Sequence, residues 1–73
     1  MKLREFNFNS IMVQGLCIME EGAISTDKDR SYTGFIGDVL RAIPIEWADR
    51  EIKETRTYFD IFVIELRKDE YNA

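Results

Sequence analysis

The sequence predicts an α+β domain: a small four-stranded, mostly antiparallel sheet with one short helix. Three observations predict it. The strongest apolar run, within Thr57–Leu66, is rich in β-branched and aromatic residues. Two further stretches, Ile11–Met19 and Tyr32–Asp38, alternate with period two. After residues 2–8, helical spacing is confined to Val39–Ile43, between Asp38 and Pro44.

The apolar run organises the rest. Read with period two, Tyr58, Phe62, Ile64 and Leu66 share one face, interrupted by Asp60. Phe59, Ile61 and Val63 share the other, followed by Glu65. A strand that is apolar on both faces belongs in the middle of a sheet. A turn near Thr57–Asp60 sets its beginning, so the strand is expected over 60–67.

Residues 2–8 fit a helix through Leu3 and Phe6, or a strand through Phe6 and Phe8. The first strand is expected over 11–19, with Gly15 marking a bulge or a close approach of another chain segment. Residues 20–31 form the long polar segment and read as a loop that returns the chain antiparallel. The second strand is expected over 32–38. Asp38 then caps a helical turn over 38–43, and Pro44 ends it. Ile45 and Trp47 are expected to close over the core. Residues 50–56, polar except for Ile52, read as a charged edge strand. The tail 68–73 is expected to fray.

At 73 residues the chain is read as a single domain spanning 1–73. A domain of this size buries only about 60% of the surface its unfolded chain exposes, so its core is marginal. Small folds add disulfides, a metal or a partner. Cys17 is the sole cysteine and there is no histidine, which excludes an internal disulfide and the usual zinc ligand sets. Cys17 between Leu16 and Ile18 reads as a small buried apolar residue in a reducing compartment. No leader is visible in Met1–Glu5, and no run reaches the about 18 to 20 apolar residues of a membrane span, so a cytoplasmic protein is expected.

The net charge of −4 argues against a general nucleic-acid binder. Asp27 and Asp29 have the spacing that opens a calcium loop, but its glycine and its distant glutamate are missing. Gly34 and Gly37 lack the Lys-Ser/Thr pair of a phosphate loop. Asp60 and Glu65 fall on opposite faces of one strand and cannot converge as a catalytic pair. No cofactor, metal or catalytic residue is expected, and the chain is not read as an enzyme.

The motif Tyr32-x-Gly34-x-Ile36-Gly37-Asp38-Val39, then Pro44, Trp47-Ala48-Asp49-Arg50-Glu51-Ile52 and a closing Ile61-x-Val63-Ile64-x-Leu66 resembles a group of short proteins encoded by phages of Gram-positive bacteria. The start Leu3-Arg4-Glu5-Phe6 is similar too. The resemblance covers about two thirds of the chain and departs at residues 7–31 and 40–43. It implies a mobile-element setting and a small α+β fold, and carries no site residues.

Two functions are expected from this reading. The first is protein–protein interaction, as a small acidic inhibitor of a host nuclease or CRISPR effector. Its acidic contacts would come from Glu20, Glu21, Asp27, Asp29, Glu46, Asp49, Glu51 and Glu54. Its apolar contacts would come from Phe59 and Ile61, on the second face of the last strand, flanked by Trp47. That face would meet a target or a second copy, unless Leu3, Phe6 and Phe8 fold back over it. The alternative is a homo-oligomeric binder of a nucleotide signal, with Gly34 and Gly37 near the phosphates and Lys28, Arg30 or Arg41 as counter-charges.

Overall fold

The computed structural model of the chain describes residues 1–24 and 26–68. The expected fraying of the tail falls, apart from Lys68, outside the described residues. The strands are β1 (Gly15–Glu20), β2 (Ser31–Phe35), β3 (Ile52–Tyr58) and β4 (Ile61–Leu66), with one helix, α1 (Ile36–Ala42), after β2. They form a four-stranded sheet in the order β2-β1-β4-β3. The β1–β2 and β3–β4 pairs are antiparallel, and the central β1–β4 pair is parallel. The architecture is therefore α+β with a mostly antiparallel sheet, as the alternation of residues suggests.

Several boundaries move, each for a local reason. The first strand begins at Gly15 and not at residue 11, because β1 has no neighbour to pair with until β4 starts at Ile61. Gly15 makes a close approach and not a bulge: a Cβ there would lie 3.1 Å from the Asp60 carbonyl oxygen and 3.2 Å from Ile61 Cγ1. The second strand stops at Phe35, and α1 already runs from Ile36. Asp38 therefore sits in the first helical turn instead of capping it, bonded to Arg41 at 2.6 Å. Its negative charge still suits the helix start. The chain between residues 2 and 10 is neither α-helix nor a named strand but two 3-10 turns, Leu3–Glu5 and Phe8–Ser10. Ile45–Asp49 is a third.

The strand expected over residues 50–56 runs over Ile52–Tyr58 and lies at the sheet edge, as its charges indicate. A bulge between Ile52 and Glu54 resets its alternation. Ile52 then opposes Leu66 and points into the core, while Lys53 is exposed. The apolar run Thr57–Leu66 is broken by the turn Phe59-Asp60, so Tyr58 belongs to β3 and Phe59 to no strand.

One face of the sheet is covered. Leu16 and Ile18 of β1 with Ile64 and Leu66 of β4 are fully buried there, against Leu3, Val39 and Trp47. The N-terminal residues do fold back, but onto this face: Phe6 lies 5.6 Å from Phe62, ring to ring, and 5.0 Å from Phe8. Trp47 closes over the core at 3% exposure, edge-on to Tyr32. Ile45 does not, and stands 89% exposed. The other face holds a smaller cluster, Cys17, Met19 and Val63, with Ala23 and Ile61 beside it.

Candidate functional site

The register gathers one end of the sheet from three separated segments. Phe35, Gly15, Ile61 and Tyr58 form a row across β2, β1, β4 and β3. Paired residues share a face, so Phe35, Ile61 and Tyr58 all project from the second face, beyond its buried cluster of Cys17, Met19 and Val63. Met12 precedes this row in sequence and Phe59 follows it in the β3–β4 turn. Met12, Phe35, Tyr58 and Phe59 are 94%, 68%, 65% and 81% exposed. In the converging segments 12–16, 33–37 and 57–62 the sole charged residue is Asp60. A shallow depression lined by Met12, Val13, Gln14 and Asp60 lies beside the tip.

Phe59 carries the structural oddity of the chain. Among the described residues it is the sole non-glycine residue with a positive φ, at 54°. It is the first residue of the turn between the paired Tyr58 and Ile61. A positive φ at a hairpin corner is a conformation that favours glycine. An aromatic side chain there costs on the order of 1–2 kcal/mol of backbone energy. Its ring packs edge-on against Tyr58 at 4.6 Å, which offsets part of this cost. The signal was legible in principle: a Tyr-Phe-Asp-Ile turn lacks the Gly or Asn that hairpins favour.

The expected site residues do not form one surface. Ile61 and Phe59 lie at the uncharged end, but Trp47 is buried on the opposite face and offers them no flank. The acidic residues are largely engaged within the molecule. Glu20 is bonded to Arg50 and lies 3.5 Å from Arg30. Glu21 meets Lys53 at 3.1 Å and accepts the Lys68 main-chain N–H at 2.9 Å. These two bonds hold the Glu21 carboxyl below its ordinary value. Asp49 pairs with Arg4 at 2.7 Å, Glu51 with the N-terminus at 3.0 Å, and Glu54 with Arg56 at 3.7 Å. Asp27 accepts the Ile24 N–H at 3.0 Å and so shapes the loop. Asp29 and Glu46 are exposed and have no ion pair among the described residues.

The molecule is thereby divided. Glu20, Glu21, Arg30, Arg50 and Lys53 form a charged network at the end of β1 and the start of β3, away from the aromatic end. Gly34 lies in β2 and Gly37 inside α1, so neither belongs to a loop that could cradle a phosphate. Arg41 is held by Asp38, and Arg30 by Glu20 and the Glu21 carbonyl. Among the described residues there is no cluster of three or more carboxylates or thiols that could hold a metal ion. No helix among them is long and apolar enough to cross a membrane.

Comparison with known proteins adds no relative. No protein-family model matches the chain, and no match was found among curated proteins or solved structures.

Proposed function

We propose that this chain is a protein–protein interaction module that docks a target protein through the aromatic end of its sheet. The observation that carries this reading is Phe59, an aromatic ring 81% exposed on a hairpin corner whose positive φ favours glycine. Local strain at an exposed position is kept where the side chain serves something other than the fold. Tyr58 packs against Phe59, Ile61 follows the turn into β4, and the row runs on across the sheet end to the exposed Phe35 at the far edge, in segments that lack charge apart from Asp60. Exposed aromatic side chains surrounded by few charges are the composition of an interface centre.

In the mobile-element setting that the sequence resemblance implies, the target is a host protein. Occupying a nuclease or CRISPR effector in this way would make the chain an inhibitor. The acidic side chains play a lesser part in this reading, since most are spent on intramolecular ion pairs.

Site-specific photo-crosslinking in the host tests the proposal. A photoreactive phenylalanine analogue at position 59 should give one discrete protein adduct. The same group at position 45, where Ile45 is equally exposed but lies outside the aromatic end, should not. No adduct at 59, or the same adducts at both positions, removes the reading.

A further inference from the structure

The two edges of the sheet are not equivalent. The β3 edge is defended by Lys53, Glu54 and Arg56 and by its bulge. The β2 edge, Ser31-Tyr32-Thr33-Gly34-Phe35, carries no charge at all. The Glu20 N–H donates to the Arg30 carbonyl, so that pair is hydrogen-bonded. Alternation then makes Ile18·Tyr32 and Leu16·Gly34 the bonded pairs of the β1–β2 ladder. Thr33 and Phe35 therefore turn their main-chain N–H groups away from β1. Among the described residues no main-chain partner meets them. Ser31 is buried, but Thr33, Gly34 and Phe35 are exposed, so the open stretch of edge is centred on Gly34.

We propose that this edge pairs with the same edge of a second copy, antiparallel and two-fold symmetric about Gly34. In that register Thr33 faces Phe35 of the second copy, and the two glycines face each other as a close, non-bonded pair with no side chains between them. Each Phe35 N–H donates to the Thr33 carbonyl of the other copy. The Phe35 rings, which project from the second face, become diagonal neighbours within reach of each other. Self-complementarity selects the occupant: about Gly34 the outward N–H of Phe35 and the outward C=O of Thr33 meet each other across a two-fold axis, and charge does not oppose it. Two chains of net charge −4 repel wherever both carry charge, and β2 is a strand where neither does. The two sheets join with both second faces, those of the Cys17 cluster, on the same side. This inference rests on the main chain of β2; it shares Phe35 with the proposed docking end but does not involve Phe59.

Sedimentation equilibrium of the purified full chain tests it. The mass should rise from 8.6 kDa toward twice that value. The rise should occur between about 10 μM and about 1 mM, the affinity range of a small interface. Phe35→Pro is the decisive variant. The φ of Phe35 is −67°, which proline adopts, and its N–H bonds nothing within the chain, so the monomer's ladder is untouched. That variant should stay monomeric with an unchanged circular-dichroism spectrum, while Phe35→Ala, which keeps the N–H, should dimerise more weakly than the parent. If Phe35→Pro does not fold, Thr33→Lys takes its place, since it puts a cation on each side of the pairing line. A parent chain that remains at 8.6 kDa at about 1 mM overturns the inference. So does a folded Phe35→Pro or Thr33→Lys chain that dimerises like the parent. A dimer that Phe59→Ala abolishes and Thr33→Lys does not would place the contact at the aromatic end and overturn it as well.

Discussion

Glu20 and Arg50, thirty residues apart in sequence, form an ion pair that ties the end of β1 to the turn before β3. Both side chains are 18% exposed. Arg50 also lies 5.6 Å from the Trp47 ring centroid, and Arg30 approaches Glu20 from the other side. A half-buried charge with a fixed partner is costly to orphan. Glu20→Ala should lower unfolding stability by about 1–3 kcal/mol, the range for hydrogen bonds to charged groups. Urea titration checks this. A variant as stable as the parent that loses target binding would return Glu20 to the docking surface.

Phe59 separates stability from function. Glycine takes a positive φ without the Cβ penalty, so Phe59→Gly should be more stable than Phe59→Ala by about 1 kcal/mol. Both should lose target binding. Thermal melts of the two variants give the first result and crosslinking or titration with the target gives the second. Equal melting temperatures would mean that the turn relaxes away from its positive φ, and the strain invoked for Phe59 would be absent.

The sheet was legible in the sequence because its alternation is local. Leu16 and Ile18 against Cys17 and Met19, and Ile64 against Val63, sort by period two onto the two faces that the structure shows. What alternation cannot carry is which strand lies beside which. The parallel β1–β4 pair joins residues more than forty positions apart and leaves no turn in the sequence. The uncharged end was hidden for the same reason: Phe35 and Tyr58 fall in one row only through the register, with Phe59 beside Tyr58. Trp47 was misplaced because burial of a lone tryptophan says nothing about which face it covers. The acidic candidates looked available because their partners, such as Arg50 for Glu20 and Arg4 for Asp49, are set by tertiary contacts.

Gly15 is held by a close approach and not by a turn. A methyl group would have to find room between the Asp60 carbonyl oxygen and Ile61, at 3.1 and 3.2 Å. The Gly15 N–H also donates to that carbonyl, at 3.1 Å, so the backbone there cannot simply retreat. Gly15→Ala should cost about 1–3 kcal/mol through overpacking. Chemical denaturation at equilibrium measures it, and an unchanged midpoint would show that the β3–β4 tip yields freely.

Glu21 gives the acid limb of the stability curve a known contributor. Its carboxyl is held below the ordinary value of 4.5, first by the Lys68 main-chain N–H and then by Lys53. A group whose pKa is lower in the folded state binds protons more readily when unfolded. Its stabilisation is therefore present above about pH 4.5 and is lost as pH falls through the folded value. Glu21→Gln should lower the melting temperature at neutral pH and have little effect at pH values below both the folded and unfolded values. Melting curves of parent and variant that stay parallel across the acid range would assign the effect to another carboxylate.

The two faces of β4 give the sharpest contrast. Ile64 is fully buried between the sheet and the residues that cover it, while Ile61 is partly exposed at the open end of the second face, beside Gly15. A carboxylate in place of Ile64 would be desolvated with no partner, a penalty of several kcal/mol that exceeds the margin of so small a domain. Ile64→Glu should therefore be unfolded, and even Ile64→Ala should lose about 2–5 kcal/mol. A glutamate at position 61 can swing into water, so Ile61→Glu should remain folded. Its charge would nevertheless stand in the middle of the row from Phe35 to Tyr58, where a docked target must exclude water. Ile61→Glu should keep its circular-dichroism spectrum and lose target binding by at least about tenfold, about 1.4 kcal/mol. If Ile61→Glu unfolds as Ile64→Glu does, the second face is core and the aromatic end is not the docking site.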